Sequence, residues 1–227
     1  MSAGPADGLI DALRRGGVAE VDGSQLARSL YASDAGLYRI EPRVVVRPRH
    51  TDEIAATLAV ARDAGTPITM RGAGTSIAGN AVGAGIVIDT SRHLNRVLGL
   101  DREARTARVQ PGAVHAGLQQ LAVRDGLRFG PDPSTHTRCT IGGMVGNNAC
   151  GSRALGYGRT VDNVEALTVL LADGTLVSSG RSEALDALVD DHLGTVRTEF
   201  GRFGRQVSGY SFEHLLPENG RRFDRFL

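Results

Sequence analysis

The sequence predicts an α+β fold of two lobes, and three observations predict it. Short β-branched runs alternate with an amphipathic helix through the first hundred or so residues, then give way to hairpin patterns. Two glycine-rich segments, Arg71-Gly-Ala-Gly-Thr-Ser-Ile-Ala-Gly-Asn80 and Thr140-Ile-Gly-Gly-Met-Val-Gly-Asn-Asn-Ala-Cys-Gly151, each fall at the end of an element. Hydrophobic residues make up 41% of the 227 and charged residues 22%, which suits a globular chain able to bury a core.

Residues 5–40 read as a short helical lead-in, with Leu9, Ile10 and Leu13 on one face. Arg43-Val-Val-Val-Arg-Pro48 is a β-branched run and predicts a strand. Thr51 is an expected N-cap, with Asp52 and Glu53 well placed in the first turn of a helix. Ile54, Leu58 and Ala61 supply that helix with an apolar stripe, and Gly65 ends it. Pro67–Met70 returns as a strand that delivers the first glycine segment, and Ile86–Ile88 is the next strand. Arg96–Leu100 and Thr106–Gln110 then predict a hairpin around the polar turn Asp101-Arg-Glu-Ala. Val114–Arg124 is expected as a helix built on Val114, Leu118, Leu121 and Ala122. Residues 130–140 form a loop with two prolines, and the second glycine segment opens as a short helix. Val164–Leu171 pairs back on Leu176-Val177 through Asp173-Gly174, and residues 182–200 have helical spacing.

The bulk numbers exclude several classes. A formal net charge of +1 gives no electrostatic reason to expect nucleic acid. All 26 basic residues are arginine, so no lysine can form a Schiff base or serve a Walker-type loop. Cys139 and Cys150 make neither a disulfide framework nor a CxxC pair, and the six histidines lack metal-ligand spacing, so no metal is expected. No apolar run reaches the length of a membrane span, and the N-terminus lacks a signal-peptide pattern. The cytoplasm is the expected compartment, with a peripheral place at a membrane as the second setting.

Each glycine segment exposes backbone N–H groups with few side chains in the way, a surface suited to phosphate or pyrophosphate. Lying ~60 residues apart, the pair suggests one extended, phosphate-bearing cofactor held from two sides. A nicotinamide-binding reading of Gly72-x-Gly74, with Asp89 as the ribose acid, fails on spacing and context. Gly79 comes five positions after Gly74 rather than three, and Ala81-Val-Gly-Ala-Gly85 runs into a strand rather than a helix. In the second segment Thr140 can cap a helix whose Gly142, Gly143 and Gly146 N–H groups are expected to be bare, an anion site. Asn147 and Asn148 add amide groups for a heterocycle edge or a ribityl hydroxyl, and Pro131-Asp-Pro-Ser-Thr-His136 is a rigid polar lining.

These two segments, with Pro131-Asp132 leading into Thr140–Gly143 and Asn148-Ala-x-Gly151, resemble the FAD-binding (PCMH-type) domain of the vanillyl-alcohol oxidase superfamily. Within it the resemblance is strongest to the glycolate oxidase and D-lactate or D-2-hydroxyglutarate dehydrogenase branch, and runs from about Arg43 to Ser178. The resemblance implies FAD in a crevice between two lobes, about 41–98 and 99–227, after a lead-in over 1–40. It implies that Arg71, Gly72, Ala73, Gly74, Thr75 and Ser76, with Gly79 and Asn80, wrap the pyrophosphate. Asp132, Ser134 and Thr135 would line the flavin and its ribityl chain. Thr140, Ile141, Gly142, Gly143, Gly146, Asn147, Asn148, Ala149 and Gly151 would hold the rest of the dinucleotide. The loop Gly156-Tyr-Gly-Arg159 leads to the strand of Val164, which would border the cofactor.

Two departures from the family pattern sharpen the reading. Relatives with covalent FAD carry a histidine in the first loop; Thr75 stands at the matching position, so non-covalent FAD is expected. A later Gly-Thr/Ser-Glu-Gly-Thr segment closes over the cofactor in the family, and Gly209-Tyr210 and His214-Leu-Leu216 resemble its lead-in. The chain is therefore expected to be the N-terminal piece of a longer oxidoreductase that oxidises a 2-hydroxy acid by hydride transfer to flavin N5. Its catalytic residues would lie beyond Leu227, and electrons would leave to an acceptor such as an iron–sulfur module. Two other functions share these residues: a flavin-dependent nucleotide-sugar reductase, and a non-catalytic flavin-binding or electron-transfer module.

Overall fold

A computed structural model describes residues 5–178, 181–202 and 209–226; residues 1–4 of the lead-in and Leu227 lie outside the described residues. The lead-in folds as helix α1 (Pro5–Arg15), a two-residue strand β1 (Val21–Asp22) and helix α2 (Gln25–Leu30). Ser24 caps α2, its hydroxyl accepting the Ala27 N–H at 3.2 Å. The valine run becomes β2 (Val44–Val46), followed by α3 (Thr51–Asp63), β3 (Ile68–Arg71) and β4 (Ile86–Asp89).

These strands form one sheet in the order β1-β2-β4-β3. β2 and β3 both run parallel to β4, so the β2-α3-β3 crossover leaves a slot that β4 fills, while β1 adds antiparallel at the edge. Parallel strands enclosed on both faces read as continuous apolar runs. Accordingly Val44, Val45, Val46, Ile86, Val87 and Ile88 are all fully buried. One core cluster joins Val44, Val46, Ile86 and Ile88 to Leu9 and Leu13 of α1 and Ala61 of α3.

Two compact units emerge. The first holds the residues up to Arg128 with Thr135–Gly143 and Ala172–Gly174; the second holds Phe129–Ser134, Met144–Leu171 and the residues from Thr175 on. The hairpin β5 (Val97–Asp101) and β6 (Thr106–Val109), with helix α4 (His115–Ala122), groups with the first unit, whereas the sequence reading sets a lobe boundary near residue 98. Helix α5 (Ile141–Gly146) is followed in the second unit by α6 (Ala154–Tyr157) and a 3-10 turn at Thr160–Asn163. The hairpin β7 (Thr168–Leu170) and β8 (Leu176–Ser178) comes next, then α7 (Glu183–Asp191), α8 (Leu193–Glu199) and α9 (Phe223–Phe226). The second unit's core consists of Val189, Val196, Leu215, Leu216, Phe223 and Phe226, with Phe212 edge-on to Phe226 at 5.0 Å.

Four local expectations need correction. His50, not Thr51, is the extended N-cap residue of α3, and Glu53 reaches back to accept the Arg49 N–H at 3.2 Å. That backbone service buries Glu53, so the buried stripe of α3 is Glu53, Thr57 and Ala61, with Ile54 and Leu58 only half-buried. In α4 the buried face is His115, Leu118 and Ala122; Val114 is the N-cap, and Leu121 lies on the solvent side. The helix expected over 182–200 breaks at His192, whose φ of −123° departs from the helical region.

Candidate functional site

The first glycine segment leaves the end of β3. The register pairs Arg71 with Asp89, and the Arg71 carbonyl accepts the Thr90 N–H at 3.0 Å, which ends the ladder there. Past that point the loop is held from its flanks. Ser76 O accepts the Ala35 N–H at 3.0 Å, and Ser76 Oγ accepts the Ala78 N–H at 3.2 Å. A Cβ on Gly79 would lie 2.9 Å from the Tyr38 ring.

Within that frame, six consecutive backbone N–H groups, Gly72 through Ile77, donate to nothing among the described residues. Buried backbone donors are nearly always paired within the protein, whereas donors in a half-buried loop such as this one are open to water or to a ligand. Gly74 turns the loop at φ +65°, a left-handed conformation natural to glycine.

Arg71 lies against the same turn. Its Nη1 donates to Ser33 O and Ala81 O, both at 3.0 Å, which fixes the guanidinium. A Cβ on Gly74 would sit 2.4 Å from Arg71 Nη2 and 3.2 Å from Nε, so those two nitrogens face the loop. Neither makes a hydrogen bond, and no carboxylate pairs with Arg71, among the described residues. The result is an uncompensated positive charge beside a row of unpaired donors, the composition of an anion cradle.

The first unit also brings the start of the second glycine segment to this loop. Thr140 is buried, and a Cβ on Gly72 would come 2.1 Å from its Oγ1. That hydroxyl accepts the Gly143 N–H at 3.2 Å, as a capping threonine does. The bare donors expected at the start of α5 are not there, however. Ile141 donates to Ala113 O at 2.8 Å, Gly142 to Pro111 O at 2.7 Å, and Gly143 to Thr140. Gly142 serves close packing instead: a Cβ there would lie 2.7 Å from Pro111.

The remaining expected residues gather in the second unit. Asp132 Oδ1 accepts the Arg153 N–H at 3.1 Å, and its Oδ2 lies 3.1 Å from Arg153 Nε. A Cβ on Gly151 would collide with the Asp132 carbonyl at 2.1 Å, so the 131–134 and 151–153 stretches lie in direct contact. Asn148 adopts φ +43°, and its Oδ1 accepts the Val161 N–H at 3.2 Å. The Ala149 carbonyl takes both the Thr160 N–H at 2.9 Å and the Thr160 hydroxyl at 2.6 Å. Val164 is half-buried; Ser134, Gly146 and Asn147 are exposed, as are Ala73 and Asn80 of the first loop. In the first unit Thr135 O accepts the N–H groups of Arg138 and Cys139, turning the chain toward Thr140. Burial pushes the Cys139 thiol up, which keeps it protonated and inert.

The sequence reading missed the contribution of residues 31–36. Ser33, Ala35 and Tyr31 all touch Arg71 or the first loop, the ring of Tyr31 lying 5.0 Å from the Arg71 guanidinium. The available signal was Asp34-Ala-Gly36, a turn sequence inside a stretch read as helical; Asp34 Oδ1 indeed accepts the Gly36 N–H at 2.8 Å. Asp89 caps the end of β4: its Oδ1 accepts the Ser91 N–H at 2.7 Å and the Ser91 hydroxyl at 2.6 Å. Among the described residues no group of three His, Cys, Asp or Glu could hold a metal, and no helix is long and apolar enough to cross a membrane.

Comparison with known proteins bears on the family and the cofactor. The chain is 33% identical over 201 residues to D-2-hydroxyglutarate dehydrogenase of Pantoea ananatis, an alignment covering 86% of this chain and 19% of that protein. It is 38% identical over 168 residues to glycolate oxidase subunit GlcD of Bacillus subtilis, covering 73% of this chain and 36% of that one. The chain thus spans about a fifth and about a third of these relatives' lengths. Among solved structures, 6-hydroxy-D-nicotine oxidase from Arthrobacter nicotinovorans superposes with a TM-score of 0.62 at 25% identity, over 70% of this chain and 35% of that one. The model of the family described as FAD binding domain matches residues 42–180, more than half of the sequence and both glycine segments. The chain belongs to that FAD-binding family, and FAD is its cofactor.

Proposed function

We propose that this chain is the FAD-binding portion of a flavin-dependent oxidoreductase that oxidises a 2-hydroxy acid, such as D-lactate, glycolate or D-2-hydroxyglutarate. The observation that carries the reading is the first loop: six N–H groups, Gly72 to Ile77, and the Nε and Nη2 of Arg71 beside them, all unpaired among the described residues. Such a set matches the oxygens of a pyrophosphate, whose negative charge strengthens each of these bonds relative to a neutral acceptor. The substrate class is supported by relatives named for D-2-hydroxyglutarate, glycolate and D-lactate. Bound flavin supplies the two-electron acceptor for hydride leaving the substrate α-carbon.

In this reading Arg71 to Ser76 hold the pyrophosphate, with Gly79 and Asn80 closing the turn. Thr140 to Gly143 form the floor that supports Gly72, with the N–H groups of Ile141, Gly142 and Gly143 already spent on the protein. Asp132, Ser134 and Thr135, the 146–149 stretch, Gly151 and Val164 line the rest of the cofactor. FAD is held non-covalently, because Thr75 offers no imidazole for a flavin bond. The protein works in the cytoplasm and passes electrons to an acceptor, for which an iron–sulfur module on the same longer chain or on a partner is the proposed class.

Anaerobic mixing of the full-length holoprotein with each 2-hydroxy acid tests the activity. Bleaching of the flavin absorption band by at least one of them is the expected result. Bleaching by a reduced nicotinamide cofactor alone would move the protein to the nucleotide-sugar reductase class.

A further inference from the structure

Tyr31, whose ring lies against Arg71, stands outside the matched family segment. Its ring is flanked by two guanidinium groups, Arg47 at 5.4 Å and Arg71 at 5.0 Å from the centroid. Its hydroxyl accepts from Arg47 Nε at 3.3 Å and donates to Asp89 Oδ2 at 2.5 Å. Burial, then the Asp89 hydrogen bond, push the Tyr31 phenol up, so it remains the donor.

The two arginines differ in what neutralises them. Arg47 Nη1 lies 3.2 Å from Glu20 Oε1 and 3.6 Å from Asp22 Oδ2. Burial pushes the Glu20 carboxyl up, but the His93 hydrogen bond, at 2.7 Å, and Arg47 outweigh it and keep Glu20 ionised. Arg71 has no such partner among the described residues, although Asp89 is its register neighbour on β4. One Asp89 oxygen is taken by Tyr31 and the other by Ser91. An aromatic face steadies a cation without cancelling its charge, whereas a carboxylate would cancel it.

We propose that Tyr31 is a positioning residue for the cofactor phosphates: it cushions the Arg71 guanidinium under the first glycine loop and holds Asp89 away from it, leaving the charge available to an anion. This rests on reading that loop as the pyrophosphate site. Without the Tyr31 hydroxyl, Asp89 Oδ2 loses its partner, and the two cations that flank the Tyr31 ring become its compensation; Arg47 already holds Glu20 and Asp22, which leaves Arg71 as the one still to be neutralised.

The test is an FAD titration of deflavinated full-length protein, followed by flavin fluorescence, with apoprotein thermal unfolding as the control for folding. Tyr31→Phe keeps the ring and should weaken FAD binding about tenfold, the size of one charge-assisted contact, with little change in apoprotein melting. Adding Asp89→Asn to Tyr31→Phe should restore affinity to within about threefold of wild type, because the amide keeps the Ser91 contacts but cannot quench Arg71. A purely structural role for Tyr31 gives no such rescue. Unchanged FAD affinity in Tyr31→Phe, or a double variant as weak as the single one, overturns the proposal while leaving the FAD site standing. Wild-type protein that takes up no FAD overturns the site reading and this proposal together.

Discussion

Gly72 and Thr140 are far apart in the chain, yet each explains the other. The threonine hydroxyl occupies the space where a side chain at position 72 would begin, and the same hydroxyl caps α5 through Gly143. Gly72→Ala is expected to cost about 1–3 kcal/mol through overpacking, read as a lower urea midpoint with unchanged m-value. Thr140→Ala in the same chain should recover part of that loss, less the cost of the missing cap. Strictly additive effects would mean that the contact does not exist. At this scale the sequence showed which glycines matter but not why. Gly142 reads equally well as a ligand-facing position, yet its neighbour is Pro111. Close packing and ligand approach select the same residue, and only the neighbour tells them apart.

At the scale of elements, β2 and β4 were legible as β-branched runs, and the hairpin strands β5 to β8 through the polar turns that join them. β1 escaped because two residues, Val21 and Asp22, make no pattern; β2 recruits them through edge pairing. Helix faces were misjudged where a polar side chain is buried for backbone reasons, Glu53 in α3, and where a histidine replaces an aliphatic, His115 in α4. The central strands carry the first unit. Ile86→Ala, at a fully buried position shared by two parallel partners, should destabilise it by about 2–5 kcal/mol. Chemical denaturation of the full protein checks this, and a loss under 1 kcal/mol, small for a core deletion, would place the core elsewhere.

In the second unit, burial pushes the His214 imidazole down, and Arg225 and Arg159 act in the same direction against Glu213 and Asp162. The folded state therefore favours neutral His214, while the unfolded chain protonates near the ordinary pKa of about 6.5. Stability is fully present above about pH 6.5 and is lost as pH falls toward the folded value, by at most about 1.4 kcal/mol per pH unit for one proton. His214→Gln should flatten thermal stability between pH 7.5 and 5.5; an unchanged slope would assign it to another group.

For the whole molecule, the family and cofactor were legible because two glycine segments stand in fixed order and spacing, and the model of the FAD-binding family covers both. What the sequence could not show is how asymmetrically they are used within the first unit. Among the described residues the loop after β3 keeps its donors from Gly72 to Ile77 unpaired, whereas the start of α5 spends its donors on Pro111, Ala113 and Thr140. Hydrogen-bond partners from residues distant in sequence decide that, and no local pattern encodes them. The division of labour predicts that charge and backbone geometry at one loop dominate cofactor affinity.

Titrating deflavinated full-length protein with FAD, wild type beside Gly74→Val, tests this most directly. A valine at φ +65° would strain the turn, and its Cβ would collide with the Arg71 guanidinium. The account predicts saturable one-to-one binding by wild type and a loss of affinity of at least about a hundredfold in the variant, from the loss of several charge-assisted contacts together. Wild-type affinity in Gly74→Val would contradict it, because the phosphates would then be held somewhere other than the loop that follows β3.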